Sequence, residues 1–316
     1  MYTPLLVSFR VLGLILGIPD QSPKDGAIKA RHFNSVLVGR DTVKKTSRTI
    51  LLAGEAAYYE QVPEDLSDLF PRLLAKTETA GEDHLTIETE RIKGLVCSQL
   101  LVNRMVDVRR LDSILQGLLK MHTWGEPEVL REDDCYSNYS RKVTSRYCEY
   151  SHLYQNPPTD TKVQFETISH YLKQYEASKG ADVRQFIHGD PVFSNCIFSA
   201  SGVKFIDMNG RQGQNITTEG DCNYDLAKVM QSLYGYDYII LEVDLDYDSK
   251  ANLAELRDYF RNHVEKHYDV SWDQIQLLTA SLFFSLIPLH DNIPHHFRLY
   301  ELCKEVLQEA HSANAE

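Results

Sequence analysis

The stretch Phe186-Ile187-His188-Gly189-Asp190-Pro191-Val192-Phe193-Ser194-Asn195, continuing as Cys196-Ile197-Phe198-Ser199-Ala200-Ser201-Gly202-Val203-Lys204-Phe205-Ile206-Asp207, decides how the rest of the chain is read. Two short apolar runs, 196–198 and 203–206, flank a Ser-Ala-Ser-Gly turn. The segment therefore reads as a loop, a strand, a tight hairpin and a returning strand. Such a hairpin brings Asn195, just before its first strand, beside Asp207, just after its second. An amide oxygen and a carboxylate at one end of a hairpin suit a hard cation such as Mg²⁺, which prefers oxygen and keeps waters for substrate phosphates. Asp190, on the same loop, is then left to act as a base. This is the division of labour of a phosphoryl-transfer site. Asp, Asn and Gly are individually common in turns, so it is their order and spacing that carry the reading.

Composition narrows the class. At 316 residues, 43% hydrophobic and 25% charged, the chain is long enough for one large or two modest domains with a substantial core. A formal net charge of −12 gives no basic footprint for nucleic acid. Cys97, Cys135, Cys148, Cys196, Cys222 and Cys303 form no Cys-x-x-Cys pair, so neither a zinc site nor a disulfide framework is expected and a reducing cytoplasm is the default. The apolar opening from Leu5 to Ile18 is interrupted by Arg10 and reads as a buried strand or short helix rather than a signal. No run approaches the ~18 apolar residues that span a bilayer, so no membrane partner is expected.

The pattern His188-Gly189-Asp190-x-x-x-x-Asn195, followed by an apolar strand pair ending in Ile206-Asp207, resembles the catalytic core of the aminoglycoside phosphotransferase and choline kinase superfamily. Asp225-Leu226-Ala227 resembles the motif that closes the catalytic region in those enzymes. The resemblance implies an α+β, bilobal protein-kinase-like fold, with a small β-rich N-lobe over 1–93 and a mainly helical C-lobe over 94–316. It also implies ATP and Mg²⁺ as cofactors, and a small-molecule hydroxyl as the acceptor. Within it, Asp190 is the base, Asn195 and Asp207 are the metal ligands, and His188 and Asp225 support the loop. The chain lacks the His-Arg-Asp, Asp-Phe-Gly and Ala-Pro-Glu set of protein kinases.

In a kinase small lobe the third strand carries the lysine that holds the phosphates. Alternation puts Val43 and Lys45 on one face, with Val43 on adenine and Lys45 at the phosphates, and leaves Lys44 as the rival. The helix around 51–59 then offers Glu55, with Glu60 as the alternative, to orient that lysine. No Gly-x-Gly-x-x-Gly is present, and Asn34 and Ser35 are the candidates to cover the phosphates. The strand over 84–90 leads into an interlobe hinge, where backbone groups around Glu88–Ile92 would recognise adenine.

Further on, Leu111, Ile114, Leu115 and Leu118 recur at three and four residues and mark an amphipathic helix ending at His122, read as a structural histidine. The segment 124–160, with Trp124 and five tyrosines, is read as an acceptor-facing insertion. Lys142 and Arg146, four apart on a helix, share a face that can hold a substrate anion or simply meet solvent. Residues 209–213 read as a mobile loop over the phosphates. His290, Asp291, His295 and His296 read as a solvent-facing loop. The competing function is a catalytically silent nucleotide-binding scaffold on the same fold.

Overall fold

The structure is a computed structural model and describes residues 35–78, 83–126, 132–155 and 161–313. The apolar opening at 5–18 and Asn34 lie outside those residues.

The N-terminal half is a four-stranded antiparallel sheet built from β1 (Ser35–Val38), β2 (Thr42–Arg48), β3 (Leu73–Glu78) and β4 (His84–Glu90), in the order β1-β2-β4-β3. Gly39 to Asp41 make the first hairpin, with Gly39 N donating to Thr42 O at 2.8 Å. Along β4, Leu85, Ile87 and Thr89 are buried while their neighbours are half-exposed, the period of a strand with one covered face. Helix α1 (Thr49–Gln61) follows β2 directly and packs on the sheet, burying Leu52, Ala56, Tyr58 and Tyr59. Pro63 follows its end, where a helix cannot be continued. β3 begins at Leu73, after a 3₁₀ helix over 64–69.

Gly94 opens β5 (Gly94–Val96), which leaves the first sheet and pairs with β7 (Cys196–Ser199) of the second half. We propose the lobe boundary there. β7 and β8 (Gly202–Phe205) form the expected hairpin, in the register Cys196↔Phe205 to Ser199↔Gly202. Two-residue strands complete the sheets: β6 (Val183–Arg184) pairs with β11 (Gly220–Asp221), and β9 (Arg211–Gln212) with β10 (Asn215–Ile216).

The remainder is helical: α2 (Cys97–Val102), α3 (Val108–His122), α4 (Glu132–Cys135), α5 (Ser140–Glu149), α6 (Thr161–Ala177), α7 (Cys222–Leu233), α8 (Tyr236–Ile240), α9 (Tyr247–His267), α10 (Trp272–Leu286) and α11 (Ile293–Ala313). The architecture is the expected α+β, with a small β-rich lobe and a mainly helical large one. Asp107 caps α3 by accepting from Arg110 N at 2.9 Å, and Ser271 caps α10 through Gln274 N at 3.3 Å. α7 is buried over its whole length, between α9, α10 and the catalytic loop.

The rings of the tyrosine-rich insertion pack inward. Tyr147 stacks on Phe165 at 4.1 Å between ring centroids, and Tyr154 on Phe284 at 4.8 Å, its hydroxyl donating to Phe284 O. The Tyr139 and Tyr175 hydroxyls both donate to buried Asp221. These rings build the core between α5, α6 and α10. Tyrosine suits that place because it packs a large ring while its hydroxyl finds an acceptor.

The histidine segment differs from its reading. His295 and His296 lie in the first turn of α11, His296 is buried against the backbone oxygen of His290 at 2.7 Å, and His290 and His295 approach ring to ring. Among the described residues no group of three or more His, Cys, Asp or Glu could hold a metal ion, and no helix is long and apolar enough to cross a membrane.

Candidate active site

The β7–β8 hairpin does what its sequence asks. Ile206 N donates to Asn195 O at 3.0 Å, one step beyond the last strand pair, so Asn195 and Asp207 emerge at the same end. Asp207 has φ of 59°, a left-handed conformation that Asp tolerates better than most side chains.

The catalytic loop is held from below. Asp225, in the first turn of α7, accepts from His188 N and Gly189 N, each at 2.7 Å. His122, at the end of α3, donates from Nε2 to Asp225 Oδ2 at 3.1 Å and accepts at Nδ1 from the Tyr268 hydroxyl at 2.9 Å. The structural histidine of the sequence reading is thus the outer end of the brace under the loop. Gly189 has φ of 81°, and a Cβ there would lie 2.6 Å from Asn209 Cβ, so the bend needs glycine on two counts. His188 is buried, accepts at Nδ1 from Asp190 N at 3.1 Å, and has its pKa lowered by burial against the pull of nearby carboxylates.

Asp190 itself is almost buried. Asn195 Nδ2 donates to its backbone oxygen at 2.9 Å and lies 3.4 Å from its Oδ2, and Lys228 Nζ lies 3.0 Å from its Oδ1. Lys228 was not anticipated. It is the sole cation in a helix buried all round, three residues after Asp225, and that placement was the available signal.

On the sheet side, Lys45 Nζ reaches Glu55 Oε2 at 2.5 Å and Asp207 Oδ1 at 3.0 Å. Burial alone would lower the lysine's pKa, but Asp207 and Glu55 outweigh it and hold the ammonium above its usual value. Burial pushes the Glu55 carboxyl up to about 7, with Lys45 opposing and Asp207 adding. Two buried carboxylates share one ammonium, so ionising both is costly. The rivals are spent elsewhere: Lys44 pairs with Glu88 at 3.2 Å and Glu60 with Lys76 at 3.0 Å, both at the surface.

α1 is pressed against this centre at Gly54. A Cβ there would fall 2.6 Å from Asn209 O, and one on Gly210, at φ of 58°, only 2.0 Å from Gly54 O. The backbones meet where no side chain fits, which fixes Glu55 beside Asp207. Asn209 N also donates to His188 O at 3.0 Å, and β9 and β10 tie off the segment. Residues 209–213 are therefore anchored, contrary to the mobile loop expected.

An apolar cleft opens beside the Lys45 centre, walled by Val36, Val43, Ile87, Ile92, Ile197 and Ile206, with Lys45, Glu55 and Asp207 at one end. Val43 and Lys45 share it, as alternation requires. Of the expected hinge, residues 89–92 line the cleft, while Glu88 and Ser35 lie outside its lining. Glu88 lies on the opposite face of β4 from Ile87 and Thr89, its backbone sits in the middle of the sheet between Lys44 and Ala75, and the cleft is lined instead by Thr89, Glu90, Arg91 and Ile92. Ser35 is exposed on β1, and it is its neighbour Val36 that faces the cleft.

No family model and no curated protein matches the sequence. Solved structures do match. The aminoglycoside phosphotransferase APH(3'')-Id from Streptomyces rimosus, in complex with ADP and streptomycin, superposes with a TM-score of 0.51 at 16% identity, covering 90% of this chain and 98% of that one. The chain has the aminoglycoside phosphotransferase fold. The GDP and kanamycin complex of APH(2")-IIia gives a TM-score of 0.52 at 13% identity over 98% of this chain and 99% of that one. A thermostable mutant of APH(4)-Ia gives 0.54 at 11% identity over 90% and 93%. This kinase-like fold places the apolar cleft and the Lys45 centre between the two lobes.

Proposed function

We propose that the protein is an ATP- and Mg²⁺-dependent phosphotransferase acting on a hydroxyl of a small molecule, a sugar, amino sugar or amino alcohol. One observation carries the reading: Lys45, Glu55 and Asp207 meet at the mouth of an apolar cleft while Asp190, held by Asn195 and Lys228, lies on the loop that the same hairpin closes. Two of the three solved relatives named above are nucleotide complexes, with ADP and GDP, which supports a nucleotide in the cleft.

The walls of Val36, Val43, Ile87 and Ile206 suit a purine ring, and Lys45, oriented by Glu55, reaches the phosphates. Asn195 and Asp207 fit a magnesium ion. The Asn195 amide donates with its nitrogen to Asp190 and so presents oxygen as its ligand atom, and one or two protein oxygens are what Mg²⁺ ordinarily takes. When bound, Mg²⁺ supplies charge neutralisation on the phosphate oxygens. Asp190 accepts the acceptor's proton as its oxygen bonds to the phosphorus and the bond to the nucleoside diphosphate breaks. His188 and Asp225 keep that carboxylate in place. Positioning and electrostatics account for most of the rate in such transfers.

A nucleotide-consumption assay with Mg²⁺ across sugars, amino sugars, sugar acids, sugar phosphates, choline and aminoglycosides tests this, run beside Asp207→Ala. Turnover on one class, abolished in the variant, is expected. Tight nucleotide binding without turnover on any acceptor would favour the silent scaffold instead.

A further inference from the structure

Behind Asp190 the charge balance reverses. Lys142 and Arg146 on α5 and Lys228 on α7 gather around Tyr224, whose ring has the Lys142 ammonium 5.3 Å and the Lys228 ammonium 5.7 Å from its centroid. Asp190 is the carboxylate paired with this group, through Lys228. Lys142 Nζ finds neutral acceptors, the Tyr224 hydroxyl at 3.0 Å and Asn138 Oδ1 at 3.3 Å, and Arg146 donates to Ser285 O at 2.9 Å. Neither has a carboxylate within 4.0 Å among the described residues.

The chain is acidic overall. It carries 45 acidic against 33 basic side chains, and at its surface Lys44, Lys76, Lys93 and Lys120 each find an acid. Crowding lowers the Lys142 pKa to about 8, through burial first, then Arg146 and Lys228, against the pull of Tyr224; burial would raise the Tyr224 pKa, yet the two lysines hold it down. Three cations held together with one carboxylate, Asp190, are costly unless a further anion joins them.

We propose that the acceptor carries an anionic group, a carboxylate or a phosphate, which Lys142 and Lys228 hold across the Tyr224 ring while its hydroxyl faces Asp190. The inference rests on the phosphotransferase reading and specifies its substrate class. Aminoglycosides, which carry amines, are the wrong charge for this group of cations. Hydrogen bonds hold the geometry ready: Asn138 donates to Gln212 Oε1 at 3.1 Å, tying the start of α5 to the β9 segment.

The test uses matched ligands on the ADP-loaded protein: glucose, glucosamine, glucuronate and glucose 6-phosphate, with galactose and glycerol series beside them, titrated by calorimetry. At least one anionic member should bind about tenfold or more tightly than its neutral and cationic partners, and which one separates carboxylate from phosphate. Lys142→Met should erase the preference while moving ADP affinity less than twofold, and Lys142→Arg should restore most of it. Equal binding across all charges, no measurable binding, or an unchanged preference in Lys142→Met overturns the inference. Nucleotide consumption with the same ligands separates the two readings. Turnover that favours neutral or amino sugars removes the anion subsite and keeps the phosphotransferase. A charge preference in binding without Asp190-dependent consumption does the reverse.

Discussion

The two ends of the catalytic centre carry opposite charge balances. Around Lys45, one ammonium serves two carboxylates, Glu55 and Asp207. Around Asp190, one carboxylate faces Lys228, with Lys142 and Arg146 close behind. The first arrangement has a surplus of negative charge that a divalent cation would balance. The second has a surplus of positive charge that an anionic ligand would balance. On the proposed reading, the asymmetry sets nucleotide phosphates and acceptor at different ends.

Breaking the acidic end should cost most. Asp207→Ala removes the proposed metal ligand and a partner of Lys45, and turnover is expected to fall by about 10³-fold or more, on the scale of losing a principal electrostatic element; a loss below tenfold would remove Asp207 from the proposed metal site. Breaking the basic end at Lys228→Met strips Asp190 of its counter-ion inside the protein. Removing one partner of a buried pair costs about 3–5 kcal/mol. Urea denaturation checks that, and unchanged stability would mean that Asp190 is solvated rather than paired.

Gly54→Ala tests whether the two ends are held together by backbone contact. Its Cβ would press on Asn209 O, so overpacking of about 1–3 kcal/mol and weaker nucleotide binding are expected. Wild-type melting and nucleotide affinity would show that α1 is not fixed there.

The smallest effect sharpens the comparison through pH. The Glu55 carboxyl, raised by burial from its ordinary value to about 7, binds more protons folded than unfolded, so its contribution to stability is lost as pH rises through that window. Relative to Glu55→Gln, in which other titrations cancel, the wild type should lose up to about 3 kcal/mol between pH 4.5 and 7.5. A flat difference would mean that Lys45 fully compensates Glu55.

Much of this was legible where partners are close in sequence. Asp190, Asn195 and Asp207 are joined by one hairpin, so turn residues and apolar runs suffice to bring them together. The choice of Lys45 over Lys44 followed from strand parity. The hinge expected over 88–92 was legible in all but its first residue, whose backbone sits in the sheet between Lys44 and Ala75, and parity applied to Val36 would have turned Ser35 away from the cleft. Lys228 and Tyr224 were not legible as site residues, because what they face depends on how α7 packs under a loop more than thirty residues earlier. Lys142 and Arg146 shared a face in the sequence, but only tertiary packing put that face behind Asp190. The tyrosines of the insertion could not themselves place it, because a ring with a hydroxyl serves a core as well as a ligand site.

The central claim is that Asp190 takes the acceptor's proton. The most direct measurement is nucleotide consumption by Asp190→Asn beside the wild type, with the best acceptor found in the panel and with nucleotide affinity measured in both. The account predicts near-equal nucleotide affinity and turnover lower by about 10²–10⁴-fold, the range of general acid–base contributions. Near-wild-type turnover in Asp190→Asn would contradict it.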